Sequence, residues 1–396
     1  MKNVYLISNV KNGGKTYLEY LLPALNALRN QYNCVVLQTA SAGVSKLDAE
    51  QLLDFPVEEV DLNFISTLKS QVVISNDAWV GRVLDDSNFC IFIAHGNVGM
   101  PVKDRYYFSE LISYLDAVVS SSQSLSELIK SGLQLYRRER SASRISAANN
   151  TLRSDLRKTS LISVSPVKIS EPFKSAPEIQ RTPGTYVVGL LPTQVGICPS
   201  GASLYENMEV VINSVKSQIP HATFILRPYM TDFTRPYVRE MCEKLTPYQW
   251  ITIDTTKGSS KDFYQQCDTL ITDASSGGVS FMLNTCKLPI YYVPETNEIH
   301  PVVNAWLEQM DNLLPIAKNG DELKDLVLGL ELLNSEQSYS IYKKFYASEY
   351  GERQHPDEVF QDLVQKLHAS DFRYVAIDSS GKASEIEDQR CVLQPS

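Results

Sequence analysis

The sequence predicts an α/β protein of two doubly wound lobes with a cleft between them, followed by C-terminal helices. Three observations carry this reading. Apolar runs of strand length alternate with stretches of helical periodicity. The alternation stops in a Pro-rich polar segment and then starts again. The last part of the chain reads as helix alone. Near-continuous Val/Ile/Leu strands separated by helices indicate parallel sheets covered on both faces, so each lobe is Rossmann-like.

The first lobe spans residues 1–165. "NVYLIS" reads as a strand, "TYLEYLLPALNALRNQY" as a helix and "CVVLQT" as the next strand. "QVVISND" and "NFCIFIAHG" follow as strands, then the helix "YYFSELISYL", the strand "DAVVSSS" and the helix "SLSELIKSGL". Residues 166–184, "PVKISEPFKSAPEIQRTPG", are polar and Pro-rich and read as a linker. The second lobe, 185–340, repeats the scheme: strands "TYVVGLLPT", "ATFILRP", "QWITIDT", "DTLITDASS" and "LPIYYVP", with helices "NMEVVINSVKSQI", "VREMCEKL" and "GVSFMLNTC" between them. Terminal helices fill 341–374, and the polar tail 375–396 is expected to be poorly ordered.

Composition narrows the function classes. The chain has 396 residues, 43% hydrophobic and 21% charged, which suits two globular domains. Its formal charge of −9 leaves no global cationic excess for binding nucleic acid through phosphates. One local exception, Tyr136 to Lys158, is basic and Ser-rich; it reads as a solvated insertion, or as a surface for anionic headgroups or a charged glycan. There is no run of 18 apolar residues and no signal-peptide core at the start, so the expected location is cytoplasmic, with peripheral contact at the inner membrane as the alternative. The seven cysteines form no C-x-x-C pair and the five histidines no H-x-x-x-H pair, which argues against a protein-built zinc site.

In doubly wound sheets ligands bind outside the carboxyl ends of the strands, so the loops there are the candidates. "SNVKNGGKT", Ser8 to Thr16, nearly matches a phosphate loop, but Asn9 replaces its first glycine. It reads as a glycine-rich loop lining the cleft through Asn12, Gly13 and Gly14, and not as a nucleoside triphosphatase motif. His95 ends a buried strand and precedes Gly96; a core histidine and a cleft histidine are both open readings. In "LITDASSGGVSFML", Ser275, Ser276, Gly277 and Gly278 follow a buried strand and open a helix. Unpaired N–H groups and the positive end of a helix dipole make such a start a phosphate site, and the glycines are expected to let a ligand approach the backbone. His300 and Pro301 follow the next strand, where the histidine could donate to the same phosphate.

"ILRPYMTDFTRPYVREM" holds Asp232 between a strand and a helix. The local reading is a helix cap, since Asp and Thr accept first-turn amides and Pro236 suits the first helical position. The alternative is chemistry, with Arg227 keeping the acid ionised or binding a donor carboxylate and Arg235 as the second arginine for that role or for the acceptor side of the cleft.

Taken together, "AHG" in the first lobe and "LITDASS" with "LPIYYV" in the second resemble GT-B glycosyltransferases, among them the group of CDP-glycerol glycerophosphotransferases. Two features depart from that group: Gly277 and Gly278 follow the serines, and the acid lies in the turn "RPYMTDF". In motif order over nearly the whole chain the sequence more closely resembles WbbB-type retaining β-Kdo transferases. That resemblance implies a CMP-β-Kdo donor bound by the second lobe, an Asp nucleophile at Asp232, and a phosphate-binding pair at His300 and Pro301. It implies transfer to a saccharide acceptor, lipid-linked in one version, in bacterial lipopolysaccharide, O-antigen or capsule synthesis. His95 would contact the acceptor or act as general base. No D-x-D pair stands at a strand end, so neither a metal nor another cofactor is expected. The alternatives are a CDP-glycerol or ribitol phosphotransferase, a nucleotide-sugar 2-epimerase, and a binding module without activity.

Overall fold

The computed structural model describes residues 3–10, 14–95, 110–138, 159–169, 172–178, 184–196, 203–256, 259–294, 308, 310–351, 353–369, 375–377 and 383–385. The chain divides into two compact units. Described residues of Met1–His95, Asp104–Lys168 and Glu352–Ser396 form the first; those of Ile169–Gly351 form the second.

The first unit is a seven-stranded parallel sheet. Its strands are β1 (Val4–Ser8), β2 (Cys34–Thr39), β3 (Val57–Val60), β4 (Val72–Ser75), β5 (Phe89–Ile93), β6 (Ala117–Ser120) and β7 (Ser160–Ser163), in the order β3-β2-β1-β4-β5-β6-β7. Every residue of β4, β5 and β6 is buried, which explains their unbroken apolar sequence. Alternation still sorts the two faces. Leu6, Val36, Ile74 and Ile91 pack into one cluster, and their chain neighbours Ile7, Leu37, Val73 and Phe92 into another. The helix Pro356–Ala369 belongs to this unit: Val359, Phe360, Leu363, Val364 and Leu367 pack with Leu21, Leu25 and Leu28. Each such side chain contributes roughly 1.5–3 kcal/mol on burial.

The second unit is a six-stranded parallel sheet: β8 (Tyr186–Leu191), β9 (Ala222–Leu226), β10 (Ile251–Ile253), β11 (Thr269–Thr272), β12 (Pro289–Tyr292) and β13 (Ile316–Ala317), ordered β10-β9-β8-β11-β12-β13. Chain direction along the sheet reverses at β8. The chain runs outward through β9 and β10, then returns to place β11 on the other side of β8. Such a reversal opens a crevice at the carboxyl ends of the two flanking strands.

Several local expectations change. The first long helix is broken into Gly14–Leu18, a 3₁₀ turn Glu19–Leu21 and Leu22–Leu28, because Pro23 lacks an N–H and must sit in a first turn. The helical stretch after β13 splits into Gly320–Leu332 and Ser335–Glu349 at Asn334. That residue forms a capping box with Gln337. The chain crosses from one unit to the other between Lys168 and Ile169. Beyond that point Ile169, Phe173 and Ala176 pack against the second unit, so this part of the expected linker is packed chain. The polar tail contains β14 (Val375–Ile377) paired antiparallel with β15 (Ala383–Glu385). No helix among the described residues is long and apolar enough to cross a membrane.

Candidate functional site

The candidate site is built where β8, β9 and β11 end, at the reversal point of the second sheet. The loop after β8 is the part they share. Two carboxylates from different loops hold it in place. Asp273, directly after β11, accepts the Thr193 amide on Oδ1 at 2.9 Å and the Leu204 amide on Oδ2 at 3.0 Å. Asp232, after β9, accepts the Val195 amide on Oδ2 at 2.9 Å. Both acids are fully buried. Hydrogen bonds to backbone N–H groups offset the cost of burying these charges.

Asp232 is not a helix cap. It lies inside a 3₁₀ turn, Met230–Thr234, and the N-cap of the helix Pro236–Leu245 is Arg235, with no side-chain capping bond. The carboxyl instead reaches across to the β8 loop. Its second oxygen, Oδ1, is buried and makes no hydrogen bond of normal geometry among the described residues. Arg235 Nε stands 3.3 Å from it, on a side chain that is 47% exposed. Burial pushes the Asp232 pKa up. The Val195 amide, the Tyr205 hydroxyl and the Arg235 guanidinium oppose that shift. The Tyr205 hydroxyl is itself fixed by the Tyr229 amide, which donates to it at 2.9 Å. Tyr237, 44% exposed, packs edge-on against Tyr205 with ring centroids 6.4 Å apart.

Arg227 is not the arginine beside Asp232. Its Nη1 lies 3.4 Å from Asp254 Oδ2 and donates to the Ser259 carbonyl at 3.3 Å, and its guanidinium sits over the Phe263 ring. A carboxylate partner offsets the cost of taking a guanidinium largely out of water, and Asp254, just beyond the neighbouring strand β10, is that partner. The arginine beside Asp232 is Arg235.

The turn after β11 differs from the expected ligand cradle in one respect. Ser275 Oγ accepts the Gly277 amide at 3.2 Å and pairs with Thr272 Oγ1 at 2.8 Å, and Thr272 Oγ1 donates to the Leu191 carbonyl at 2.6 Å. The hydroxyls thus tie this turn to the end of β8. The glycines make room for protein. A Cβ at Gly278 would stand 2.5 Å from Tyr291 Oη, and one at Gly277 would stand 2.6 Å from Leu191 Cδ2. Ser275, Ser276 and Gly277 remain partly exposed at the start of the helix Gly277–Thr285, where first-turn amides favour an anion.

In the first unit, His95 follows β5. Its Nε2 donates to the Asn76 carbonyl, and its ring packs edge-on against Tyr17 at 4.6 Å and near Phe92 at 5.6 Å. Burial pushes its pKa down to about 4, against the opposing influence of the Asn76 bond and Asp77. The ring is therefore neutral at neutral pH. These are the contacts of a satisfied strand-end histidine, with Nδ1 keeping its lone pair. Lys15, next to Gly14, pairs with Asp48 at 2.8 Å. Asn12, Gly13, Gly96, His300 and Pro301 lie outside the described residues, as do residues 139–158 of the basic segment.

Sequence reading missed the β8 loop. Thr193, Val195 and Leu204 act through backbone amides, which leave no mark on residue type. Tyr205 carried no motif. The one available signal was an acid in the loop after each of two strands of the same sheet, β9 and β11, which flank β8.

Two parallel sheets with this strand order and a C-terminal helix returning to the first unit define the GT-B class of α/β fold. Solved structures agree. HepE of Anabaena, solved with UDP and glucose, is 13% identical, with a TM-score of 0.54 over 93% of this chain and 100% of that one. MnaA of S. aureus, solved with UDP, is 11% identical, with a TM-score of 0.57 over 93% and 97%. The wall teichoic acid polymerase TagF is 12% identical, with a TM-score of 0.54 over 94% and 90%. No protein-family model and no curated protein matches the chain.

Proposed function

We propose that the chain is a retaining glycosyltransferase that moves Kdo from CMP-β-Kdo to a saccharide acceptor through a covalent intermediate on Asp232. The observation that carries this reading is the state of the Asp232 carboxyl. One oxygen is pinned by an amide 37 residues away; the other is buried beside a half-exposed arginine and makes no hydrogen bond of normal geometry among the described residues. The other fully buried acid of the site, Asp273, has both oxygens bonded to backbone amides. A carboxylate oxygen held in a desolvated setting by an arginine that can move away is suited to nucleophilic attack.

In the first step Asp232 Oδ1 bonds to the anomeric carbon. The bond from that carbon to the phosphate oxygen breaks, and its electron pair leaves with CMP. In the second step the acceptor oxygen bonds to the same carbon, its proton goes to a base, and the Asp232 carboxylate departs with the electron pair of the broken ester. Two inversions return the original configuration, as in retaining glycosidases. The partly exposed serine–glycine helix start, across β8 from Asp232, is the proposed seat of the CMP phosphate, joined by His300 and Pro301. Its dipole favours the leaving charge, so turnover is expected to persist in EDTA.

The test is incubation with CMP-Kdo and a panel of short saccharides, read by mass and by the anomeric configuration of the product. Retained β configuration supports the reading. Transfer only from CDP-glycerol would replace it with polyol phosphotransfer, and nucleotide-sugar isomerisation without acceptor would replace it with epimerisation.

A further inference from the structure

Arg235 and Asp232 are three residues apart, yet differ sharply in exposure. Asp232 is fully buried and Arg235 nearly half exposed. The guanidinium Nε stands 3.3 Å from Oδ1, which makes no hydrogen bond of normal geometry among the described residues. Arg235 has no second carboxylate partner among the described residues. Its planar fork can take a carboxylate in two parallel bonds. Tyr237 and Glu206 stand near it, and Tyr205 and Asp273 near its partner Asp232.

A nucleophile within about 3–3.5 Å of a reacting carbon is in attack geometry. A carboxylate bonded directly to that carbon lies about 1.5 Å further on, the length of a C–C bond. When the carbon approaches Oδ1 from the arginine's side, such a group comes within reach of the Arg235 guanidinium. The geometry points to Arg235 as the specificity-determining residue of the site: it shields Asp232 Oδ1 in the free protein and turns onto a carboxylate carried by the donor's anomeric carbon, so that 2-keto-sugar-acid donors, and not aldose donors, expose the nucleophile. This rests on the proposed nucleophilic role of Asp232. An aldose donor has no anion at that carbon, so the ion pair stays closed over the attacking oxygen. The half-exposed side chain can swing without disturbing the core, whereas Asp232 is fixed through Val195.

The test compares CMP-Kdo with its C1 carboxamide analogue on wild type, Arg235→Gln and Arg235→Lys. Wild type should prefer CMP-Kdo by kcat/KM. In Arg235→Gln the value for CMP-Kdo should fall roughly tenfold or more, the loss expected when a charge-assisted bond is removed, while the value for the carboxamide does not fall. Arg235→Lys should recover part of the preference, and CMP, which has no carboxylate, should bind all three proteins equally by calorimetry. Calorimetry with free Kdo reads the carboxylate contact without turnover and should show weaker binding to Arg235→Gln. An unchanged preference in Arg235→Gln, or an equal loss for both donors and for CMP, overturns the assignment. An active Asp232→Asn variant instead removes the nucleophile reading beneath it, so the two failures are told apart.

Discussion

Asp232 Oδ2 accepts the backbone N–H of Val195 at 2.9 Å, across 37 residues of chain. The bond ties the loop after β9 to the loop after β8 and leaves the other carboxylate oxygen for a different purpose. An amide oxygen can accept the same N–H. Asp232→Asn should therefore keep the loop and the fold while removing the attacking charge. Transfer should fall by roughly 1000-fold or more, about 4 kcal/mol of transition-state stabilisation, with no fall in Tm.

The same carboxyl predicts a pH dependence of stability. Its folded pKa is raised above the ordinary 3.8 by burial. Between 3.8 and the folded value, the native state holds a proton that the unfolded chain has released. Asp232 therefore lowers stability as pH rises through that window, and below it contributes no difference. Asp232→Asn should be at least as stable as wild type at pH 7, and any advantage should shrink as pH falls toward 3.8. Denaturant melts at several pH values check this. The acid limb of kcat/KM should sit above the usual carboxylate range, because the nucleophile must be ionised.

Asp273 should behave in the opposite way. Both of its oxygens accept backbone amides, from Thr193 and Leu204. Asp273→Asn turns one acceptor into a donor facing a buried N–H, so stability should fall by about 2 kcal/mol or more. An Asp273→Asn protein as stable as Asp232→Asn would contradict the division of roles between the two acids.

Gly278→Ala should destabilise more than Gly277→Ala. The new methyl at 278 would meet the rigid, fully buried Tyr291 ring at 2.5–2.7 Å, and overpacking of this kind costs about 1–3 kcal/mol. At 277 the first obstacle is the end of Leu191, a flexible side chain. Thermal melts of the two variants rank them.

Much of the fold was legible because parallel strands buried on both faces write themselves as unbroken apolar runs. "NVYLIS", "NFCIFIAHG" and "DTLITDASS" all fall on observed strands. Two strands at sheet edges were not legible, although the edge strand β10 was, in "QWITIDT". Val57–Val60 exposes Glu58 and Glu59, and Ile316–Ala317 is two residues long, so neither has the apolar signature. Pro23 was visible in the sequence, but its break was hidden inside a helical period. At the site, the position of Asp232 after a strand was readable. Its partners were not, because Val195, Thr193 and Leu204 contribute backbone N–H groups and because Arg227, nearer to the strand, is drawn to Asp254. Sequence proximity pointed to Arg227 as the partner of Asp232; the 3₁₀ turn brings Arg235 over the acid instead.

The most direct measurement of the central claim is intact-mass analysis of the wild-type protein given CMP-Kdo without acceptor, followed by peptide mapping. A nucleophilic Asp232 predicts a single Kdo adduct on the peptide containing that residue, lost on addition of acceptor and absent from Asp232→Asn. Transfer to acceptor by Asp232→Asn at the wild-type rate, or a wild-type product of inverted configuration with no adduct, would contradict it.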